Sequence, residues 1–215
     1  MPISFAPKPL PNQSGSGLHI NLSLARNGFN LFMNKSEGHS QEAESFIAGI
    51  LEKVPEMTAF LNPLANSYSR LGECQAPKYA SWAHGNRSQL IRIPAAKGNK
   101  VRMELRSPDP TSNPYLAFAL VISAGLDGIE RGLPLPPPVN EDLYTADKSI
   151  TDKLAKLPEN LGEALKLAEK SAFINNALPG NMLNRFLEIK SNEYEAFLKS
   201  EDKRKYFMDN FFRLV

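Results

Sequence analysis

NPLANSYSRLGECQAPKYASWAHGNRSQLIRIPAAKGNKVRMELR, residues 62–106, ends in the seven residues that decide how the chain is read. Lys100, Arg102, Glu104 and Arg106 take the even positions, and Val101, Met103 and Leu105 the odd ones. Strict alternation is the pattern of a β-strand with one apolar and one polar face. On the polar face successive charges stand roughly 7 Å apart, at ~3.4 Å rise per residue. Three cations and one carboxylate in a row make either a solvated sheet face or the wall of an anion site, with a metal at the carboxylate.

Working outward, Gln89 to Pro94 reads as a second strand, with Leu90 and Arg92 on one face and Ile91 and Ile93 on the other. Residues 62–85 have no sustained periodicity, and loops of that length are uncommon in compact domains unless they serve a function. Upstream, Leu18 to Leu24 alternates again: Leu18, Ile20, Leu22 and Leu24 inward, His19, Asn21 and Ser23 outward. His19 there is either a hydrogen-bonded sheet residue or a ligand. NQSGSG (Asn12 to Gly17) is a turn, and Ile3 to Lys8 looks extended, with Ile3 and Phe5 sharing a face and prolines confining it to an edge. Asn27-Gly28 signals a tight turn into a short strand, Phe29 to Phe32. Helices are expected from a Ser40 cap to about Lys53, with Pro55 kinking or ending it, and from Asn113-Pro114 to about Ile129. The second of these is apolar nearly all round and reads as the central core helix. After the stiff connector LPLPPP (Leu133 to Pro138) the chain is helical, with a capping box at Asn160 and Glu163 and helices over about Met182 to Leu198 and Glu201 to Phe212.

Composition narrows the function classes. The chain has 215 residues, 42% hydrophobic and 22% charged, enough for a real core. A net charge of +2 gives no general case for nucleic acid or an anionic membrane, so the cations matter locally. A single cysteine, Cys74, excludes an internal disulfide framework and a cysteine-based zinc site. The start MPISFAPKPLPNQ lacks the regions of a signal peptide, and Leu116 to Leu126 is too short to span a bilayer, so a cytoplasmic location is expected.

Three strands thus present polar faces: His19/Asn21/Ser23, Ser88/Leu90/Arg92 and Lys100/Arg102/Glu104/Arg106. If they share a sheet, a carboxylate and an imidazole meet as a metal pair among Arg70, Arg87, Arg92, Arg102 and Arg106. Mg²⁺ is held by one or two carboxylates plus water and phosphates, and an imidazole moves the preference toward Mn²⁺. Arginine forks suit phosphate and carboxylate. The residues alone therefore reach a nucleotide–metal–anion site without naming a reaction.

GSGLHINLSL (Gly15 to Leu24), NPLANSYSRL (Asn62 to Leu71), APKYASWAHGNRSQLIRIP (Ala76 to Pro94) and MELRSPDPTSNPYLAFAL (Met103 to Leu120) follow one another in an order and spacing that resemble the C-terminal part of the catalytic domain of glutamine synthetase. The resemblance implies an α+β fold: a largely antiparallel sheet, part of that family's catalytic barrel, packed by helices and followed by a helical C-terminal region. Residues 1–132 would be a partial catalytic domain, and 133–215 the connector and helices of the same domain. It implies ATP- and Mg²⁺- or Mn²⁺-dependent joining of glutamate with ammonium through a γ-glutamyl phosphate, in a homo-oligomer. Carried over, His19 and Glu104 resemble metal ligands. Gly15 and Arg70 would hold glutamate, with Arg106 facing both glutamate and the phosphoryl group. Arg87 would stabilise the transferring phosphoryl group, and Ser23, Arg92 and Arg102 would contact the nucleotide.

Three departures matter. Gln75 stands where the family usually has a flap glutamate, which puts ammonium attraction in question and leaves Glu73 as a substitute or a larger amine as the acceptor. Asn21 and Ser14 replace a usual histidine and asparagine. The family's N-terminal β-grasp domain and the earlier strands bearing most metal-binding glutamates have no counterpart here. The chain is therefore expected to be a fragment without full activity of its own. A non-catalytic nucleotide-binding remnant is the competing reading. Tyr144, in EDLYTAD, lies in a segment resembling the loop where some relatives carry a nucleotidyl group on tyrosine; here it is either such a site or an ordinary loop residue.

Overall fold

The computed structural model describes residues 3–33, 39–212 and 214. In chain order its elements are β1 (Ile20–Leu22), β2 (Ala25–Arg26), β3 (Phe29–Asn30), α1 (Gln41–Leu61), β4 (Trp82–His84), β5 (Ile91–Ile93), β6 (Met103–Leu105), α2 (Pro114–Glu130), α3 (Lys148–Thr151), α4 (Leu161–Lys170), α5 (Ala172–Ala177), α6 (Gly180–Lys199) and α7 (Lys203–Asn210). One sheet runs β1-β6-β5-β4 and a small hairpin pairs β2 with β3. The fold is α+β. The sheet is open, without a closed barrel among the described residues. Its pairs are antiparallel except β4 with β5, which run parallel.

Helix α1 organises the core. Ser40 caps it by accepting the Ala43 N–H, and the helix runs on past Pro55 to Leu61 instead of stopping near Lys53. A proline inside a helix costs about 3 kcal/mol. Downstream of it Met57, Phe60 and Leu61 are at most 1% exposed, and burying each such side chain returns about 1.5–3 kcal/mol. Tertiary burial decides the boundary.

Helix α2 packs on α1 at close range. A Cβ at Gly49 would stand 2.2 Å from the Ala124 carbonyl oxygen, and one at Gly128 would stand 2.1 Å from that of Ser45. Only hydrogens allow this crossing. The expectation that α2 is buried all round is corrected, because Tyr115, Phe118, Ile122 and Leu126 form an exposed stripe, 84%, 45%, 42% and 48% exposed. The core helix is α1, which packs against α2, α4 and α5.

Two other expectations change. Residues 3–8 form no strand, and Ile3 and Phe5 are outward-facing while Ala6 is buried. The regular strands are also shorter than the alternating runs. The regular strand in the two runs is Ile20–Leu22 and Met103–Leu105, and Gly98–Lys100 forms a 3₁₀ turn. Leu90 is fully buried, so the polar face of β5 is Arg92 alone. The helical tail matches its caps. Asn160 accepts the Glu163 N–H while the Glu163 carboxylate accepts from Glu159 N–H. No helix is long and apolar enough to cross a membrane among the described residues.

Candidate active site

Strand register assembles the charged face. Ile20 lies opposite Leu105 and Asn21 opposite Glu104 across β1 and β6, while Arg92 of β5 lies opposite Glu104 from the other side. Directly opposed residues share a face, so Asn21, Glu104 and Arg92 form one row. The same register sets His19 level with Arg106 and Ser23 level with Arg102.

Glu104 is the hub. Arg92 Nη1 donates to its Oε2 at 2.6 Å, Arg106 Nη1 to Oε1 at 2.6 Å, and His19 Nδ1 lies 2.9 Å from Oε1. Burial alone raises the Glu104 pKa, but the Arg92 hydrogen bond and the charges of Arg106 and Arg92 outweigh it and hold the carboxyl below its usual value. His19 moves down as well, chiefly through burial and then through Arg106, against the opposing pull of Glu104. A carboxylate only accepts, so Nδ1 carries the hydrogen and the neutral ring keeps a lone pair on Nε2. Arg106 is 3% exposed and also donates from Nη2 to the Gln75 carbonyl at 3.1 Å. Arg102 is half-buried, its Nε on Asn21 Oδ1 at 2.9 Å, and Ser23 beside it is exposed.

Arg70 sits behind this face, 4% exposed. Its Nη1 donates to the Ser107 carbonyl at 2.8 Å and its Nη2 to that of Arg106 at 3.1 Å. Asn62 Nδ2 reaches the same Ser107 carbonyl and the buried Asp109 carboxylate. Gly15 packs over Arg70; a Cβ on it would meet the Pro7 carbonyl at 2.1 Å and the Arg70 stem at 3.2 Å. Arg70 and Gly15, both expected at one subsite, are in contact.

Residues 72–76 form the loop that faces these arginines. Its neck is closed by Gly72 N–H on the Ala76 carbonyl and by Ala76 N–H on that of Glu73. Inside the neck Cys74 and Gln75 hold φ of +46° and +69°, left-handed values that cost a non-glycine residue roughly 1–2 kcal/mol. The Gln75 side-chain oxygen receives Arg87 Nη1 in a long contact of 3.4 Å, and Arg87 is otherwise exposed. Glu73 does not substitute for the flap carboxylate. It turns away to pair with Lys8 at 2.9 Å, and Lys8 is itself clamped through its backbone by Asn66. A cavity of about 400 Å³ on that far side, between residues 8–12 and α6–α7, is lined by none of the arginines of the charged face.

A family model described as "Glutamine synthetase, catalytic domain" matches residues 1–207. The chain belongs to the glutamine synthetase catalytic-domain family. It is 43% identical over 199 residues to glutamine synthetase of Pyrococcus abyssi, covering 91% of this chain and 45% of that protein. Identity to the Thermus thermophilus enzyme is also 43% over 199 residues, 90% of this chain and 45% of the relative. For the Staphylococcus aureus enzyme it is 39% over 215 residues, 97% and 48%. The solved structure titled "Apo GmaS without ligand" superposes with a TM-score of 0.80 at 33% identity, over 96% of this chain and 48% of that one. A second, titled "GmaS/ADP complex-Conformation 1", has the same TM-score at 32% identity, over 96% of this chain and 49% of that one. The chain spans about half the length of the curated relatives it matches.

In a member of this family the donor set can be tested for a divalent metal. Glu104 and the free Nε2 of His19 are the right donor types, though it is Nδ1 of His19 that lies against the carboxylate. No group of three or more His, Cys, Asp or Glu gathers among the described residues. The two side chains match the donor types of such a metal but do not by themselves make a complete set.

Two features of the site were not found from sequence. Asp109 is fully buried and braces Asn62 behind Arg70; an aspartate between prolines in SPDP was a signal for it. Tyr144 Oη donates to the Ala76 carbonyl at 3.1 Å across 68 residues of sequence, and no local pattern announces that contact.

Proposed function

We propose that this chain supplies the arginine-rich part of a glutamate–amine ligase site, in which ATP phosphorylates the γ-carboxylate of glutamate and an amine displaces the phosphate. The observation that carries this reading is the row of Asn21, Glu104 and Arg92, with Arg106 and His19 alongside, on one sheet face. Arg92 and Arg102 would orient the triphosphate, Arg70 and the Gly15 loop the amino-acid end of glutamate, and Arg87 and Arg106 the transferring phosphoryl group. Charge fixed in place before reaction needs no reorganisation as the transition state forms. Mg²⁺ or Mn²⁺, held in part by His19 and Glu104, would neutralise phosphate oxygens. Glu104 would then exchange one or both arginine partners, leaving Arg92 and Arg106 free for phosphate. Because the relatives are about twice as long, the remaining metal ligands would lie outside this chain. The chain alone is proposed to bind substrates weakly and not to turn over.

Ammonium is the proposed acceptor. A larger amine is the second reading, favoured by one observation: the flap presents a Gln75 amide, not a carboxylate, to Arg87.

A chimera tests both readings, with this chain replacing the matched segment of the Thermus thermophilus relative. Glutamate- and amine-dependent phosphate release from ATP is expected, lowered about 100-fold or more by Arg87→Ala. A higher kcat/KM for methylamine or a polyamine than for ammonium selects the second reading. A folded chimera that releases no phosphate with any amine contradicts both.

A further inference from the structure

The segment after the proline-rich connector is zipped along the edge of the sheet. Trp82 Nε1 donates to the Pro136 carbonyl at 2.7 Å, and Val139 N–H to the carbonyl of Trp82 at 2.9 Å. Asn86 Nδ2 then reaches the carbonyls of Asn140 and Glu141 at 3.0 and 2.9 Å, and Gln89 Nε2 reaches that of Glu141 at 3.1 Å. Ser88 Oγ accepts the Leu143 N–H at 3.0 Å, with Leu143 buried beside it. This zipper delivers the next residue, Tyr144, to the loop that faces the arginines. Its hydroxyl donates to the Ala76 carbonyl at 3.1 Å, the same oxygen that takes Gly72 N–H and closes the neck of the loop.

We propose that Tyr144 is a positioning residue for the flap: its hydroxyl holds the neck of residues 72–76 shut and so sets where Gln75 meets Arg87 and Arg106. The loop needs such a tie. Two consecutive left-handed residues, Cys74 and Gln75, strain it from within. Its other ties to the rest of the chain are the Glu73–Lys8 pair, with Glu73 largely exposed, the bond from Arg106 to the Gln75 carbonyl and the long contact of Arg87 with the Gln75 side chain. Burial lifts the Tyr144 hydroxyl to about 12, so it is a donor throughout the neutral range. The residues that form the zipper lie in the same 82–89 stretch that carries Arg87. The connector and the flap are therefore coupled through one short piece of chain. Only the effect on turnover rests on the ligase reading; the latch is a property of the chain without substrate.

Amide exchange of the full chain tests the latch, comparing wild type, Tyr144→Phe, Ser88→Ala and the double variant. In Tyr144→Phe the amides of residues 72–76 are expected to exchange roughly three- to ten-fold faster, the change that loss of one neutral hydrogen bond carries, while α1 is unaffected. Ser88→Ala, which leaves the hydroxyl intact but frees its segment, is expected to accelerate the same amides. The double variant is expected to go no further than the larger single effect, the signature of two residues acting through one contact. Unchanged exchange at 72–76 in Tyr144→Phe, equal acceleration throughout the chain, or additive effects in the double variant would each overturn the proposal. In the chimera, the latch predicts that Tyr144→Phe alters kcat/KM for the amine while the KM for ATP holds. An inactive chimera whose flap still loosens in Tyr144→Phe refutes the ligase reading and leaves the latch standing.

Discussion

The charged sheet face and the flap opposite it are built on opposite principles. On the sheet, Glu104 gathers two arginines and a histidine at 2.6–2.9 Å, with the backbone in regular strands and Arg106 out of solvent. In the flap, five residues close on themselves through single hydrogen bonds, with two side-chain-bearing residues at positive φ. The face is a fixed arrangement of charge, and the flap is a strained segment held shut from outside. A ligase that phosphorylates one substrate and then admits another needs both, one to stay and one to move. The difference also predicts opposite responses to substitution.

The largest effect belongs to the sheet. Glu104→Ala leaves Arg106 buried without its counter-charge, and removing one partner of such a pair costs about 3–5 kcal/mol. Partial exposure of Arg92 and His19 places the expected loss near the lower end. Urea unfolding reads it as a drop in midpoint at constant slope, and a loss below about 1 kcal/mol would mean that solvent already screens the cluster.

Acid should act on the same groups in two stages. His19 and His84 have folded pKa values below the ordinary 6.5, both chiefly through burial, and Glu104 lies below 4.5. A lowered folded pKa means that the unfolded chain takes up the proton first. The associated stability is thus complete above the unfolded pKa and falls away as pH drops. Stability is expected to decline first below about pH 6.5 and again below about 4.5, and Glu104→Gln should remove its share of the second stage. Unfolding midpoints measured from pH 7.5 to 3.5 check the order.

Much of the sheet was legible because its information is local. Parity along Leu18 to Leu24 and Arg102 to Arg106 names the residues of each face, with Lys100 lost to the 3₁₀ turn, and a two-residue period leaves no freedom about which side chains meet once the strands pair. Arg102, Glu104 and Arg106 needed no tertiary knowledge, and neither did the caps at Ser40, Asn113 and Asn160. What could not be read depends on partners far along the chain. Pro55 stays helical because Met57, Phe60 and Leu61 are buried by other elements. The outer stripe of α2, Tyr115, Phe118, Ile122 and Leu126, is exposed although it is larger and no less apolar than the inner one of Ala117, Leu120, Val121 and Ala124. Glu73 turns to Lys8 because Asn66 holds Lys8 there, and Tyr144 meets Ala76 only because a connector is bonded along β4. The flap has no period at all, so neither its left-handed residues nor its ties could be placed from sequence.

Two smaller effects would sharpen the contrast. Cys74→Gly removes a Cβ from a residue at φ +46° and is expected to stabilise the chain by about 0.5–1 kcal/mol, the reverse sign of any change at Glu104. Calorimetric unfolding would show it as a modest rise in Tm, whereas destabilisation would mean that the Cys74 side chain contributes packing. Gln75→Glu is expected to change stability by less than ~1 kcal/mol, since it exchanges a long contact with Arg87 for an exposed ion pair. In the chimera it should shift preference toward ammonium over larger amines, read as a ratio of kcat/KM values. An unchanged ratio would remove Gln75 from acceptor choice.

The most direct test of the central claim, that Glu104 occupies arginines meant for phosphate, is calorimetric titration of ATP into the chain and into Glu104→Gln, with and without Mg²⁺. The wild-type chain is predicted to bind ATP weakly without metal and more tightly with it. Glu104→Gln is predicted to bind metal-free ATP more tightly than wild type, because Arg92 and Arg106 are released, and to lose the gain from Mg²⁺. Equal metal-free affinity in the two proteins, or a Mg²⁺ effect that survives the substitution, would contradict the account.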